Sequence, residues 1–227
     1  SAVIIITIIL VNSKLLSFKQ AMGIVLGANI GTTVSSQIIS LNIGKYSPIL
    51  LVAGFLLILF SKKEQFQNIG KVILYFGLLF FGLSELKNAV PDVKSLLKSA
   101  DPGDQLLVQD IQGFIQQLNS YGFGSVIIFL IIGVFLTILV QSSSAAMGIT
   151  IIVAINGWIN FEIAAAIVLG ENIGTTVTAW LASLGANINA KRAARAHFIF
   201  NIVGVCWMLL LFYPFIGMLD EIMPGAI

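Results

Sequence analysis

Charge is what this chain has least of. Asp, Glu, Lys and Arg make up 10% of its 227 residues, where a soluble domain carries about 25%. Apolar residues make up 58%, against roughly 45–50% in soluble domains. So little charge cannot wrap so large an apolar fraction, which excludes an ordinary water-soluble globule. The net charge of +2 is small and no basic stripe accompanies it, so nucleic acid is not an expected partner. One cysteine, Cys206, cannot form an internal disulfide and reads as a small residue in an apolar setting. The one histidine, His197, stands beside Arg195 at the start of an apolar run and reads as interfacial. The apolar runs hold no metal-ligand cluster, no nucleophile–base pair and no paired carboxylates, which argues against an enzyme. The chain opens on Ser1 with neither an initiator Met nor a charged n-region. Residues 1–12 therefore do not read as a signal peptide, and the chain is expected to be part of a longer one.

What is abundant is apolar runs, and charges punctuate them. Val3–Val11 ends at Asn12-Ser13-Lys14. Ala21–Leu41 contains the polar stretch Asn29-Ile30-Gly31-Thr32-Thr33. Pro48–Phe60 stops at Lys62-Lys63-Glu64, and Val72–Leu83 begins a helix expected to reach Val90. Residues 91–121 are polar, with Asp92, Lys94, Lys98, Asp101, Asp104 and Asp110, and read as extramembrane with short amphipathic helices such as Leu106–Leu118. Val126–Val140 meets Gln141-Ser142-Ser143-Ser144, which opens a run to Ile155. Ile163–Leu184 is interrupted by Glu171-Asn172-Ile173-Gly174-Thr175-Thr176. Phe198–Leu219 includes Pro214 and ends at Asp220-Glu221. A spanning helix needs about 20 apolar residues. Several runs are shorter, and two are interrupted. Interrupted segments at matching places in two halves point to a transporter binding site.

Two halves are indeed visible. Gly27-Ala28-Asn29-Ile30-Gly31-Thr32-Thr33-Val34 matches Gly170-Glu171-Asn172-Ile173-Gly174-Thr175-Thr176-Val177 at an offset of 143 residues. Carried back without a gap, the offset pairs Val25 with Val168, Phe18 with Phe161, Ile8 with Ile151, Thr7 with Thr150 and Ser1-Ala2 with Ser144-Ala145. The period is far too long for a solenoid and signals a duplicated half. Loop charge then reverses between the halves. Residues 13–19 carry Lys14 and Lys19 where 156–162 carry only Glu162; residues 42–46 hold Lys45 where 186–195 hold Lys191, Arg192 and Arg195. Basic loops favour the cytoplasm, so equivalent turns are expected on opposite sides. Lys14, Lys62 and Arg192 should lie inside, Asp101 and Glu221 outside.

The polar stretches carry the chemistry. Hydroxyls and an amide in an apolar run are costly unless satisfied. If a helix breaks at Gln141 and restarts at Ser142, Ser143 and Ser144, its free N–H groups and positive end add to the hydroxyls and make an anion site without a fixed cation. In Asn-Ile-Gly-Thr-Thr, glycine is expected to let the backbone leave the helix. Exposed carbonyls would then join the side-chain oxygens of Asn29, Thr32, Thr33, Asn172, Thr175 and Thr176 as neutral ligands for Na⁺. Such residues can also simply join helices, but a polar cluster repeated at one offset favours the site. Glu171, with Ala28 at its counterpart, reads either as a buried charge that tunes an ion site or as a group facing a water-filled vestibule.

The combination of Gln-Ser-Ser-Ser-Ala with Gly-Xaa-Asn-Ile-Gly-Thr-Thr in opposed halves resembles the bacterial branch of the type II sodium/phosphate cotransporter family. In that family each half carries a Gln-Ser-Ser-Ser motif, and the two meet near the membrane centre to bind phosphate and Na⁺. The resemblance covers nearly the whole chain. The second motif matches at Gln141, Ser142, Ser143 and Ser144; of the first, only Ser1 and Ala2 remain. It implies an all-α multi-pass protein of the bacterial cell membrane, with two inverted repeats whose broken or re-entrant helices meet near the bilayer midplane. The expected divisions are a first repeat over 1–60, a connecting transmembrane helix over 61–90, a polar linker over 91–122 and a second repeat over 123–227. The implied function is symport of inorganic phosphate by alternating access. Phosphate would be held at Gln141, Ser142, Ser143, Ser144 and Ser1, with Na⁺ as coupling ion and no organic cofactor. Expected partners are phosphate, Na⁺ and lipid, with a homodimer allowed. A membrane regulator of phosphate signalling and a passive anion channel are the alternatives.

Overall fold

The structure, a computed structural model, describes residues 2–40 and 44–222, without the side chains of Ser35 and Ser40. Ser1 lies outside the described residues. The helices are α1 (Ala2–Asn12), α2 (Phe18–Ser40), α3 (Ser47–Phe60), α4 (Glu64–Ala89), α5 (Val93–Leu97), α6 (Pro102–Asn119), α7 (Phe123–Val140), α8 (Ser143–Ile155), α9 (Phe161–Ala182), α10 (Ile188–Leu210) and α11 (Phe212–Ile222), with a 3₁₀ turn at Gly44–Tyr46. The described residues contain no strand. That is the arrangement lipid imposes, since a helix satisfies its own backbone.

Five helical stretches are long and apolar enough to cross a membrane: Phe18–Ile39, Glu64–Leu97, Phe123–Val140, Phe161–Ala182 and Ile188–Leu210. At 1.5 Å per residue α9 is about 33 Å long and α8 only about 20 Å, against a hydrocarbon core of about 30 Å. On this measure α8 is too short to span, as the short run after Gln141 suggested. The last apolar run divides at Leu211 into α10 and α11. Pro214 stands in the first turn of α11, where a missing N–H costs nothing.

The structure corrects one expectation. Both Asn-Ile-Gly-Thr-Thr stretches lie inside continuous helix, α2 and α9, with no break. The glycines serve close approach instead. A Cβ at Gly170 would run into the Leu130 carbonyl, and one at Gly133 into the Ile167 carbonyl. At Gly174 it would lie 2.7 Å from both the Val134 oxygen and Thr137 Cβ. Thus α7 and α9 run in the same direction and touch backbone to backbone, the small-residue contact typical of membrane helices. Gly54, Gly70 and Gly77 make a similar backbone contact between α3 and α4, which run antiparallel.

Side-chain bonds fix where the turns sit. Asn156, in the turn from α8 to α9, donates to the Val90 carbonyl at 2.6 Å, and Trp158 Nε1 donates to the Pro91 carbonyl at 2.8 Å. The start of α9 therefore lies with the end of α4. The turn from α1 to α2 lies at the other end of α9. There Asn187 N donates to Asn12 Oδ1 at 2.7 Å, and Ile8, Val11 and Ala21 pack with Ala179, Ala190 and Ala194. A second core, of Val126, Phe129, Ile163, Ile167 and Phe212, closes the end where α9 begins.

Glycine contact this close leaves no room for a methyl group. Gly170→Ala should cost about 1–3 kcal/mol as an overpacked core position. Gly82→Ala, where nothing lies within 4 Å, should be neutral or stabilising. Thermal unfolding of the two variants in detergent distinguishes them, and equal midpoints would contradict the seam.

Candidate functional site

Two polar places interrupt the apolar helices, and their hydrogen-bonding characters differ. The first is the junction of α7 and α8. Gln141 ends α7 in the left-handed region at φ 57°, ψ 18°, and its N–H donates to the Thr137 carbonyl at 2.8 Å. A non-glycine residue held there carries strain of about 1–2 kcal/mol. Ser142 is extended, and its Oγ caps α8 by accepting from Ala145 N at 3.3 Å. The first-turn amides of Ser143 and Ser144 have no intrahelical acceptor. Among the described residues no hydrogen bond engages the Ser143 or Ser144 hydroxyls. Donors thus gather at the positive end of a helix. The chain does break and restart at Gln141-Ser142, as its sequence suggested.

The second place is a cavity of about 210 Å³ between α2, α9 and α10, lined by Asn29, Thr32, Asn172, Thr175 and Asn201 with Leu169, Phe200, Gly204 and Val205. Asn172 stands halfway along α9, so the cavity lies near mid-membrane. Asn29 Nδ2 is buried without a partner, but the donors of Thr32, Thr175 and Asn172 are engaged within their own helices. Thr32 Oγ1 donates to the Ala28 carbonyl at 3.0 Å and Thr175 Oγ1 to the Glu171 carbonyl at 2.9 Å. Asn172 Nδ2 donates to the Val168 carbonyl at 3.2 Å. What these side chains have left is oxygen lone pairs.

The structure therefore brings Asn29, Thr32, Asn172 and Thr175 together from the two repeated motifs. It does not bring Thr33 and Thr176 to the same cavity. Thr33 is exposed; Thr176 is fully buried and donates to the Ile173 carbonyl at 2.6 Å. Nor do Gln141, Ser142, Ser143 and Ser144 line it. They lie close along the axis, however: Thr137 packs on Gly174, so Gln141, one turn on, is near the level of residue 178, about a turn from Thr175.

Two features escaped the sequence, and a third was left between two readings. His197 is 1% exposed, not interfacial, and its Nε2 lies 3.3 Å from Asn29 Oδ1. Arg195 beside it suggested a membrane edge, but α10 turns the histidine inward against α2. Asn201, one turn further on, lines the cavity; a lone amide in the run after Phe198 was the available signal. Glu171 is 2% exposed and accepts a 2.7 Å bond from Thr150 Oγ1, with Oε2 unpartnered. It faces neither a vestibule nor the cavity.

Against this geometry the comparisons are specific. A family model described as Na⁺/Pi-cotransporter matches residues 1–88 and 104–218. The chain belongs to the Na⁺/Pi-cotransporter family. That is a family of transporters, not enzymes, and the chain is an integral, multi-pass membrane protein. Among relatives, the uncharacterized protein YqeW of Bacillus subtilis is 29% identical over 224 residues, 99% of this chain and 67% of that protein. "Putative inorganic phosphate export protein YjbB" of Escherichia coli is 28% identical over 213 residues, 94% of this chain and 36% of that protein. The sodium-dependent phosphate transport protein 2B of Homo sapiens is 43% identical over 90 residues, 37% of this chain and 12% of that protein. The chain thus spans two thirds of the first and about a third of the second. No solved structure matches. In this Na⁺/Pi-cotransporter chain the junction gathers free donors, and Thr32, Asn172 and Thr175 offer the cavity acceptors.

The junction has a testable local energetics. Gln141→Gly relieves the left-handed strain and should unfold no earlier than the parent. Ser142→Ala removes the cap and should cost about 1 kcal/mol. Chemical or thermal unfolding of the purified variants checks both signs, and a destabilised Gln141→Gly would contradict the strained junction.

Proposed function

We propose that this chain carries inorganic phosphate across the membrane together with Na⁺, with the anion at the junction of α7 and α8 and the cation in the cavity between α2, α9 and α10. The single observation that carries this reading is the division of hydrogen-bonding character. Phosphate leaving water must recover its bonds from donors, and the start of α8 offers amide N–H groups and the Ser143 and Ser144 hydroxyls, with no Lys or Arg in the apolar runs on either side of it. A dehydrating cation needs oxygen lone pairs, and the cavity offers those of Thr32, Asn172 and Thr175. Charge is neutralised in part when both are present, so each ion should tighten the other. The names of the sodium-dependent relative and of the exporter agree on phosphate, and only the second names a direction. A coupled carrier runs whichever way the combined gradients drive it.

Inversion of the halves is part of the proposal and gives alternating access its two equivalent arrangements. Its support is the placement of equivalent turns, 13–17 and 156–160, at opposite ends of α9. Charge supports the same reading. Lys14, Lys19, Lys62, Lys63, Lys71, Lys191, Arg192 and Arg195, eight of the twelve basic residues, lie toward the end where α9 finishes. Asp92, Asp101, Asp104, Asp110, Glu162 and Glu221 lie toward the other. The basic end is the cytoplasmic one on the positive-inside rule. Residues 1–60 and 123–227 are then the repeats, joined by 61–90 and the polar 91–122. A bacterial cell membrane is the proposed location.

Uptake of labelled phosphate into proteoliposomes is expected to rise under an inward Na⁺ gradient and to fall when K⁺ replaces Na⁺; equal uptake in both would favour a channel. A hydrogen bond to a charged group is worth about 1.5–3 kcal/mol. Ser143→Ala and Ser144→Ala should therefore each weaken phosphate binding roughly ten- to hundredfold. Wild-type affinity in both folded variants would remove the anion from the junction. Cysteines placed at Lys62 and Asp101 should react with an impermeant reagent from opposite sides of sealed vesicles, and labelling from one side would overturn the topology.

A further inference from the structure

A crevice of about 310 Å³ lies between α2, α4 and α8, apart from both ion positions. From α4 it takes Leu83, Ser84 and Lys87, which share one helix face; from α8 it takes Gly148, Ile152 and Ile155, which share another. Asn156 Nδ2 donates to the Lys87 carbonyl at 3.4 Å and to the Val90 carbonyl at 2.6 Å. Lys87 is therefore level with the end of α8, at the end of the bundle proposed as the outer one. The deepest lining residue of α8 is Gly148, and Ser144 stands one turn before it on the same face. By helical rise Ser144 is about 16 Å from Ile155. The crevice thus descends the face of α8 that begins at Ser144 and stops one turn short of it. Leu83 makes the stop: a Cβ on Gly148 would come within 2.6 Å of Leu83 Cδ2.

Among the described lining residues Lys87 alone carries a charge. It is exposed and makes no ion pair among the described residues. The carboxylates nearest in sequence are turned elsewhere. Glu85 is two residues away, on the opposite side of α4, and Asp92 caps α5 by accepting from Ser95 N at 3.1 Å. Ser84, one turn below Lys87 on the same face, makes no hydrogen bond among the described residues. A lysine in the last turn of a helix also complements the helix dipole, but that role does not require it to stand over a crevice. An unpaired ammonium at the mouth of a low-dielectric cleft raises the local concentration of anions.

We infer that the crevice between α2, α4 and α8 is the outer passage by which phosphate reaches the α7–α8 junction, and that Lys87 at its mouth draws the anion in. The inference rests on the anion assignment of the proposed function and adds to it a route and a residue. Lys87 lies well away from the junction, so it attracts phosphate without holding it there. The contact of Leu83 with Gly148 closes the passage in this structure, as alternating access requires of one side at a time.

The test is uptake of labelled phosphate into proteoliposomes at a fixed Na⁺ gradient, for the parent, Lys87→Gln, Lys87→Arg and Lys98→Gln. At low ionic strength Lys87→Gln should raise the phosphate concentration for half-maximal uptake about two- to tenfold and leave the maximal rate near that of the parent. The difference should shrink as an inert potassium salt is added, because the screening length falls from about 30 Å at 0.01 M to about 10 Å at 0.1 M. Lys87→Arg keeps the charge and should match the parent. So should Lys98→Gln, which removes an exposed charge from α5, outside the crevice. An unchanged half-saturation in Lys87→Gln overturns the inference; so does an equal rise in Lys98→Gln, which would mark surface charge in general. The route is read separately with Ile151→Cys, a lining position, in a chain whose Cys206 is replaced by serine. An impermeant anionic thiol reagent applied from outside should block its uptake, and full uptake after modification overturns the passage. A parent without Na⁺-dependent phosphate uptake would overturn the proposed function itself, which keeps the two failures distinct.

Discussion

Backbone groups inside a bilayer have no water to turn to, and most of this architecture follows from how that constraint is met. Each long segment closes its own hydrogen bonds as helix. The segments then associate where side chains are smallest, because lipid offers them no hydrophobic reward for doing so. The seam of α7 and α9 at Gly133, Gly170 and Gly174 is the closest such contact around the site. It fixes the height of Gln141 against α9, and hence the distance from the start of α8 to Thr175. One side of α9 is held against α7 while Asn172 and Thr175 turn toward α2 and α10. A methyl group in that seam would move the α7–α8 junction and the α9 side of the cavity relative to one another.

On the proposed reading, the site separates two jobs that a charged residue would have merged. An arginine could hold phosphate, but burying it costs several kcal/mol unless the anion stays, and a carrier must release its cargo. Neutral donors at a helix start and neutral acceptors in a cavity can be emptied at less cost. Thr150 illustrates how the two halves have diverged within one plan. In the first half the equivalent Thr7 bonds its own Val3 carbonyl at 2.7 Å, whereas Thr150 turns to Glu171. The first half holds Ala28 in place of that carboxylate, packed against an apolar core.

Much of this was legible in the sequence because membrane burial leaves coarse marks. Runs, their lengths and their bounding charges gave the helices, and the break at Gln141-Ser142 showed as hydroxyls directly following Val140. The repeat showed through identical residues at one offset. What sequence could not show was which face of a continuous helix each residue takes. Gly31 and Gly174 suggested unwinding, yet at Gly174 the same missing Cβ permits helix contact. Thr176, one residue beyond Thr175, turns into the bundle and away from the cavity. Arg195 made His197 look interfacial, and only the packing of α10 on α2 reveals it as a partner of Asn29. Asn201 carried no motif and became meaningful once three helices met around it.

The central claim is that the anion and the cation occupy neighbouring, oppositely equipped places and stabilise one another. Equilibrium titration of purified protein tests it most directly: phosphate affinity measured with and without saturating Na⁺, and Na⁺ affinity with and without saturating phosphate. The two factors must agree by linkage, and a coupling of about 5- to 150-fold is the usual range. Tighter phosphate binding in Na⁺ than in K⁺, matched by the reciprocal gain for Na⁺, is the predicted result. Phosphate affinity that is the same in both salts would contradict the account.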